Sequence, residues 1–174
     1  MTRLLVWGAG QHGQVVAELA ELCGHQVMGF VDRVPNGPRT ISEDTARRSL
    51  RGGHMPLEGE RLVLAIGDNQ VRLRLSEEWM AVLAPPLIHP AAWVSPSASV
   101  GSGTVVLPGA VIQTRATVGR SVIVHVGAIV DHDAVIEDGA YLAPGSVVCG
   151  AGSVARGVQL GAGLVVEKSG KLTG

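Results

Sequence analysis

A six-residue period of aliphatic side chains runs through the second half of the chain, from Val94 to Val166. Every sixth position in this range is valine, isoleucine or leucine, thirteen times in succession. The thirteen positions are Val94, Val100, Val106, Ile112, Val118, Val124, Val130, Ile136, Leu142, Val148, Val154, Leu160 and Val166. The residue four places later is usually small, and the residue three places later is most often glycine. Neither the period of an α-helix nor the alternation of a single strand accounts for this spacing.

This period is typical of a hexapeptide β-helix. Alternation along a strand turns the small residue and the aliphatic residue inward and leaves two residues for a corner. Pro96, Pro108 and Pro144 fall at these corners and are mostly followed by glycine, which permits the positive φ of a tight turn. Three hexads form the three sides of one coil, so thirteen hexads make a little over four coils. We therefore predict an all-β, left-handed parallel β-helix over residues 86–174.

The part of the chain before these repeats, residues 1–85, reads as an α/β unit of the Rossmann type. Residues 3–7 form a predicted strand that runs into the glycine turn Gly8–Gly13, a helix to Cys23 and a second strand, Gln26–Val31, which ends at Asp32. Amides at a helix N-terminus can bind a phosphate, and an acid after the second strand can accept hydrogen bonds from a ribose. A simpler alternative is that these glycines only permit a tight turn.

The rest of this domain offers space for one nucleotide rather than two. A third strand is predicted at Arg61–Ile66, followed by a turn and a helix through Arg72 to Val82. Residues 33–60 are predicted as a loop with one short helix, Ser42–Leu50, and Pro85-Pro86 marks the domain boundary. A dinucleotide-dependent oxidoreductase would rest on the glycine turn alone, so we expect no nicotinamide cofactor.

Composition narrows the classes of partner. The formal net charge of -1 favours neither nucleic acid nor an anionic membrane. No apolar run is long enough to span a bilayer or to serve as a secretory leader, so we expect a cytoplasmic protein. Cys23 and Cys149 are far apart and lack metal-binding spacing, which predicts free thiols.

His132 is the histidine with the strongest indication of chemistry. It lies two places after Val130, at an outward corner, between Asp131 and Asp133. Asp133 takes the turn position that is glycine in most hexads, and aspartate tolerates left-handed geometry. A histidine held between carboxylates can accept a proton near neutral pH. The alternative is an ordinary solvated corner.

The other histidines are weaker candidates. His125 is on the preceding side of the predicted prism, so His125 and His132 of one chain should not converge on a metal, and we predict no metal site. His12 is either a surface residue of the glycine turn or a nucleotide contact. We expect His25 and His54 to be solvated and His89 to make a structural hydrogen bond.

Five segments of the chain resemble one known family. They are LLVWGAGQHGQVVAELAE, VMGFVD, LVLAIGDNQVR, LIHPAAWVSPSASVGSGTVVLPGAVI and VGAIVDHDAVIEDGAYLAPGSVVCG. The family is that of the bacterial sugar acyltransferases, which includes sialic acid O-acetyltransferases and N-acetyltransferases of nucleotide-linked 4-amino-sugars. The resemblance covers nearly the whole chain and keeps both domains in the same order.

The resemblance implies an assembly and a set of site residues. The first domain would bind a nucleotide-linked sugar, the β-helix would form a homotrimer, and acetyl-CoA would lie between neighbouring β-helices. His132 would be the general base and Asp133 would orient it. The Gly150 amide would meet the thioester oxygen, and Tyr141, where relatives can carry a second histidine, would donate a hydrogen bond nearby. The substrate-binding set would be Gly10, Gln11, His12, Asp32, Gly67, Asn69, Arg72 and His125.

The function expected from this resemblance is acetyl transfer from acetyl-CoA to a sugar amine or hydroxyl. The repeats stop after Val166, whereas such enzymes continue for further coils that help to hold the coenzyme. The alternative is therefore a nucleotide-sugar-binding or scaffold protein that keeps the fold without transfer.

Overall fold

A computed structural model describes residues 1–34, 37–52 and 60–174. Its first domain is a parallel four-stranded sheet in the order β3-β2-β1-β4. The strands are β1 (Arg3–Trp7), β2 (Gln26–Asp32), β3 (Thr40–Ser42) and β4 (Glu60–Leu64). The helices are α1 (Gln11–Leu22), α2 (Glu43–Arg51) and α3 (Asn69–Glu78), and a single 3₁₀ turn follows at Met80–Val82.

The Rossmann-like unit is confirmed, with four differences in detail. Helix α3 ends at Glu78 and a separate 3₁₀ turn follows, so it does not run to Val82 as predicted. The short strand β3 is not apparent in the sequence, because it gains its order only by pairing with β2. Helix α2 starts one residue later than predicted, because the Ser42 hydroxyl caps it by accepting a hydrogen bond from the Thr45 amide. Strand β4 is shifted towards Glu60 relative to the predicted strand. The prediction for His54 lies outside the described residues.

The sheet buries both of its surfaces. In β1, Leu4 and Val6 pack towards α1, whereas Leu5 and Trp7 pack towards α2 and α3. This alternation follows from the strand geometry, and continuous hydrophobic runs are typical of parallel strands covered on both sides. Each of these four β1 side chains therefore contributes to one of two cores.

The second domain is a β-helix of fifteen two-residue strands. They are β5 (Leu87–Ile88), β6 (Trp93–Val94), β7 (Ser99–Val100), β8 (Val105–Val106), β9 (Val111–Ile112), β10 (Thr117–Val118), β11 (Ile123–Val124), β12 (Ile129–Val130), β13 (Val135–Ile136), β14 (Tyr141–Leu142), β15 (Val147–Val148), β16 (Ser153–Val154), β17 (Gln159–Leu160), β18 (Val165–Val166) and β19 (Lys171–Leu172). They form three parallel five-stranded sheets, as the left-handed β-helix prediction requires.

Strands in neighbouring coils pair in register, three hexads apart, as Thr117 does with Val135. The β-helix extends beyond the thirteen predicted hexads at both ends. Leu87–Ile88 pairs with β8, and Lys171–Leu172 pairs with β16. The six-residue aliphatic spacing in fact continues to Ile88 and Leu172, so the predicted helix of a little over four coils becomes five strands on every side.

The outward residues distinguish three faces of the prism. The covered face (β5, β8, β11, β14 and β17) buries Leu87, Val105 and Ile123 beneath α1 and the first domain. The apolar face (β6, β9, β12, β15 and β18) presents a ladder of five aligned hydrophobic side chains: Trp93, Val111, Ile129, Val147 and Val165. The polar face (β7, β10, β13, β16 and β19) presents mainly serine, threonine and lysine.

Arg72 of α3 fastens the first domain to the β-helix. Its side chain is wholly buried and donates to the carbonyl oxygens of Ser121 at 2.9 Å and Gly139 at 2.7 Å, which belong to successive coils. It also donates to the Ile66 carbonyl and the Asn69 side chain, at 2.7 Å each. Burial lowers the Arg72 pKa to about 10, so the guanidinium stays charged at neutral pH. The two domains are therefore joined by a charged group with several partners.

Within the described ranges, no helix has the length and hydrophobicity needed to cross a bilayer.

Candidate active site

His132 and Asp133 form the middle of a tight turn between the apolar and polar faces. The turn closes through a hydrogen bond from the Ala134 amide to the Asp131 carbonyl at 3.3 Å, and Asp133 has a φ of 59°. This is the geometry of a type II turn, whose third residue requires a positive φ. We call this edge, with residues 114–115, 132–133, 150–151 and 168–169, the histidine corner. The structure thus has the outward turn that the hexads predicted.

The His132 ring is oriented by Asp133. Nδ1 of His132 lies 2.8 Å from Oδ2 of Asp133. Because an ionised carboxylate can only accept, Nδ1 must carry the proton and Nε2 is left as the acceptor. Asp131 instead accepts a hydrogen bond from the His132 amide at 2.7 Å, and its other oxygen is 3.9 Å from Nε2. Asp133 sets the tautomer, whereas Asp131 holds the turn.

Arg115 completes this array, and the sequence analysis did not find it. Its Nε and Nη2 donate to the two carboxylate oxygens of Asp133 at 2.7 and 2.9 Å. The Arg115 guanidinium, with the His132 ring as the next cause, lowers the pKa of Asp133 to about 2. The signal was available in the sequence, because Arg115 precedes Asp133 by three hexads, which is one full coil.

Gly150 lies one coil below His132 and leaves room for its ring. A Cβ atom at Gly150 would lie 2.6 Å from His132 Nε2, which is closer than atoms can approach. Among the described residues, none accepts a hydrogen bond from the Gly150 amide. The corner therefore combines an imidazole acceptor with an unpaired backbone donor beside it.

A second candidate site is a cavity of about 410 Å³ in the first domain. It opens at the carboxyl ends of β1, β2 and β4, where the strand order reverses, which is where α/β sheets bind ligands. Gly10 and Asp32 are the predicted residues that line it. The other charged residues that line the cavity were not predicted from the sequence; they are Arg33, Glu43, Arg47, Asp68 and Arg74.

The glycine turn has a packing role at this cavity. A Cβ at Gly13 would lie 2.1 Å from the Gly8 carbonyl oxygen, so the helix can pack onto the turn only without a side chain there. The Asp32 carboxylate accepts hydrogen bonds from the Ala9 amide at 2.8 Å and the Arg33 amide at 2.7 Å. Asp32 therefore shapes the turn, and the remaining lone pairs of its carboxylate face the cavity.

Four predicted residues lie together elsewhere, where the first domain meets the covered face. The rings of His12 and His125 are stacked with centroids 6.5 Å apart, and the Tyr141 ring is 6.0 Å from that of His125. Arg72 is the fourth of these residues. Its side chain is hydrogen-bonded to the β-helix and does not line the cavity. Burial, with smaller contributions from His125 and Arg72, lowers the His12 pKa to about 4.

The remaining predicted residues are peripheral to the cavity. Gln11 is exposed at the first position of α1, and Gly67 is exposed before α3. The Asn69 side chain accepts a hydrogen bond from Arg72. Tyr141 is on the covered face, opposite the histidine corner, so it does not approach His132 within one chain. In the part of the chain that the structure describes, no group of three histidine, cysteine, aspartate or glutamate side chains could hold a metal ion.

Comparison with known proteins gives matches in both domains. Residues 3–79 match the family model of the PglD N-terminal domain. The acetyltransferase domain of PglB from Neisseria gonorrhoeae, solved in complex with acetyl coenzyme A, is 34% identical with a TM-score of 0.83. That alignment covers 96% of this chain and 82% of the PglB domain. No match is found among curated protein sequences.

Two further structures extend the comparison. A variant of perosamine N-acetyltransferase from Caulobacter crescentus, in complex with CoA and GDP-perosamine, is 29% identical with a TM-score of 0.84. The alignment covers 98% of this chain and 91% of that enzyme. WeeI from Acinetobacter baumannii, at 17% identity and a TM-score of 0.56, shares the fold; that alignment covers 95% of this chain and 94% of WeeI.

The His12 environment predicts a pH dependence of stability. Because the folded-state pKa of about 4 is below the ordinary 6.5, the unfolded chain binds more protons between these values. The free energy of unfolding should therefore fall as pH decreases from 6.5 to 4, by up to ~3 kcal/mol from this group. In chemical denaturation, His12→Gln should show a shallower fall over this range, with His125 supplying part of the remainder. An identical pH profile for the variant would contradict the assigned environment.

Gly150→Ala tests the packing of the histidine corner. The new methyl group would collide with the His132 ring, which is a mobile side-chain end, so the fold should persist while the ring moves away. We expect a change in melting temperature of no more than a few degrees, together with a displaced imidazole in a crystal structure. Lys168→Ala, at the same corner position one coil later, is the control and should leave the ring in place. An unmoved His132 ring in Gly150→Ala would refute this packing.

Proposed function

Because the chain belongs to the family of bacterial hexapeptide-repeat sugar acetyltransferases, we propose that it transfers an acetyl group from acetyl-CoA to an amine or hydroxyl of a nucleotide-linked sugar. The observation that carries the proposal is the oriented imidazole of His132, with its Nε2 acceptor beside the unpaired amide of Gly150. Both co-substrates are cytoplasmic metabolites, so we also propose a cytoplasmic location.

His132 acts as the general base in this proposal. Nε2 accepts the proton as the sugar amine or hydroxyl attacks the thioester carbonyl, and Asp133 stabilises the imidazolium that forms. The Gly150 amide donates to the carbonyl oxygen as it gains negative charge. Collapse of the adduct breaks the carbon–sulfur bond, and the imidazolium returns its proton to the departing thiolate. Protons balance over the cycle.

The nucleotide is assigned to the cavity of the first domain. Its place at the carboxyl edge of the sheet, next to the N-terminus of α1, suits a phosphate group. Arg33 and Arg74 add positive charge to the lining, and Asp32 offers acceptors for hydroxyl groups. GDP-perosamine in the Caulobacter relative supports a nucleotide-linked sugar as the ligand class. Contacts with the sugar portion are assigned to Gln11, His12, Gly67 and His125.

We also propose a homotrimer, and the positions of the two sites support the association of chains. The first domain covers one face of the prism, and the histidine corner is the edge opposite that face. A sugar bound by one chain is therefore on the far side of the β-helix from that chain's own His132. Packing of the apolar face against a neighbouring chain would bury its hydrophobic ladder and bring a second His132 towards the nucleotide. Acetyl-CoA would lie in the groove between the two β-helices.

Replacement of His132 tests the proposed chemistry. His132→Ala should lower kcat for acetyl transfer by about 10²- to 10⁴-fold, because it removes the base but leaves the substrate-binding residues in place. The assay is thiol release from acetyl-CoA in the presence of a nucleotide-linked amino-sugar. His25→Ala is the control and should retain wild-type turnover, because this half-buried ring of the first domain accepts a hydrogen bond only from the Thr2 amide among the described residues. If His132→Ala kept its activity within a few-fold, His132 would not be the base.

Replacement of Ile129 tests the proposed assembly. Ile129 is in the middle of the hydrophobic ladder, so Ile129→Asp should place a charge in the interface and give monomers in light scattering. Leu22→Asp introduces the same charge at an exposed position of the first domain and should remain trimeric. A wild-type protein that is monomeric, or an Ile129→Asp variant that is still a trimer, would contradict this interface.

A further inference from the structure

We infer that Arg115 is a positioning residue for the reaction, one that holds Asp133 in the orientation that aligns His132. The inference rests on the proposed function and goes beyond it, because the reaction as proposed requires only the base and its carboxylate. It is carried by the contacts of Arg115 and by the stacking of the coils.

Within the described ranges, the Asp133 carboxylate contacts only the side chains of Arg115 and His132. These contacts are the two bonds from Arg115 and the bond to His132 Nδ1. Oδ2 accepts from both Arg115 Nη2 and His132 Nδ1, so the arginine fixes the oxygen that the imidazole uses. At this exposed corner, the carboxylate could otherwise rotate towards water. The two-pronged contact removes that freedom, because a guanidinium matches both carboxylate oxygens at once.

Arg115 is itself held by the coil above it. The Arg115 amide donates to the Ser97 hydroxyl at 3.2 Å, and that hydroxyl is 3.1 Å from the hydroxyl of Ser95. Ser97, Arg115 and Asp133 follow one another at intervals of one coil, so they form a single column along the histidine corner. The column ends at the carboxylate that orients the base.

The backbone at this corner is unusual for the molecule. At the corner between the covered and apolar faces, all four positive-φ positions are glycines: Gly109, Gly127, Gly145 and Gly163. The histidine corner uses no glycine at the equivalent positions, which are Arg115, Asp133, Ala151 and Ser169. Aspartate accepts this conformation readily, but arginine, with a φ of 57°, does not. Ala151 and Ser169 share the positive φ at this corner, so the inference depends on the contacts of the Arg115 side chain, and the positive φ decides only which replacement is best tolerated.

Arg115→Gly separates positioning from stabilisation. Glycine relieves the positive φ, so the melting temperature should stay the same or rise despite the lost ion pair. If Arg115 positions the base through Asp133, kcat should fall about tenfold or more, with KM within about twofold, because only alignment is lost. If Arg115 serves stability alone, the melting temperature should fall and kcat should not. Unchanged kcat in Arg115→Gly would overturn the inference.

A double-mutant cycle tests the route through Asp133. In the Asp133→Asn background, Arg115→Gly should have little further effect on kcat, because the contact it supports is already gone. Arg115→Lys should restore part of the loss, since an ammonium keeps the charge but cannot bind both oxygens. Fully additive effects of the two substitutions would show that Arg115 does not act through Asp133.

Nitrogen NMR of the His132 ring tests whether Arg115 orients the imidazole, and it requires no measurement of turnover. In ¹⁵N-histidine-labelled protein at pH 8, the His132 signals, assigned by their absence from His132→Gln, should be those of the Nδ1-protonated tautomer. Arg115→Gly should lose this single tautomer and show a mixture. An unchanged tautomer would overturn the inference even if the enzyme is active. If wild-type protein transfers no acetyl group, the proposed function fails, while this spectrum still decides whether Arg115 orients the imidazole.

Discussion

The in-register stacking of the coils is the constraint on which the rest of the structure depends. Backbone hydrogen bonds between successive coils fix the register, so each residue lies directly against those one coil before and one coil after it. This rule places Arg115 over Asp133 and Gly150 beneath His132. The histidine corner is assembled from four short turns. Because the register fixes these turns against one another, the corner is preorganised although it contains no helix or long strand. The same register aligns the hydrophobic ladder of the apolar face.

The attachment of the first domain fixes the position of its cavity relative to the histidine corner. Arg72 binds carbonyl groups of two coils, and α1 packs on the covered face, so the cavity of the first domain is held on one side of the prism. The histidine corner is the opposite edge. Since both positions are fixed by buried contacts, hinge motion within one chain is a poor way to join them. The proposed association of chains through the apolar face would satisfy both constraints.

The sequence predicts the local features of this site better than its contacts. The hexads indicate the β-helix, the outward corner of His132 and the positive φ of Asp133, because each depends on neighbouring residues. Arg115 requires the further step of comparing residues one coil apart. The burial of Arg72 could not be predicted, since an arginine on a short helix usually points to water, and only docking of the two domains supplies its carbonyl partners. The role expected of Tyr141 comes from the resemblance alone. Its contact with His125 could not be predicted from the sequence, because that contact depends on which face of the β-helix the first domain covers.

The most direct measurement is acetyl transfer itself, followed by mass spectrometry. Purified, folded protein would be incubated with acetyl-CoA and a panel of nucleotide-linked amino-sugars, and thiol release would be measured on the same samples. The account predicts that one of these sugars gains a single acetyl group in equal amount to the thiol released, and that His132→Ala loses both signals. Folded protein that binds a nucleotide-linked sugar but releases no thiol with any acceptor would contradict it, and would instead indicate a binding or scaffold protein.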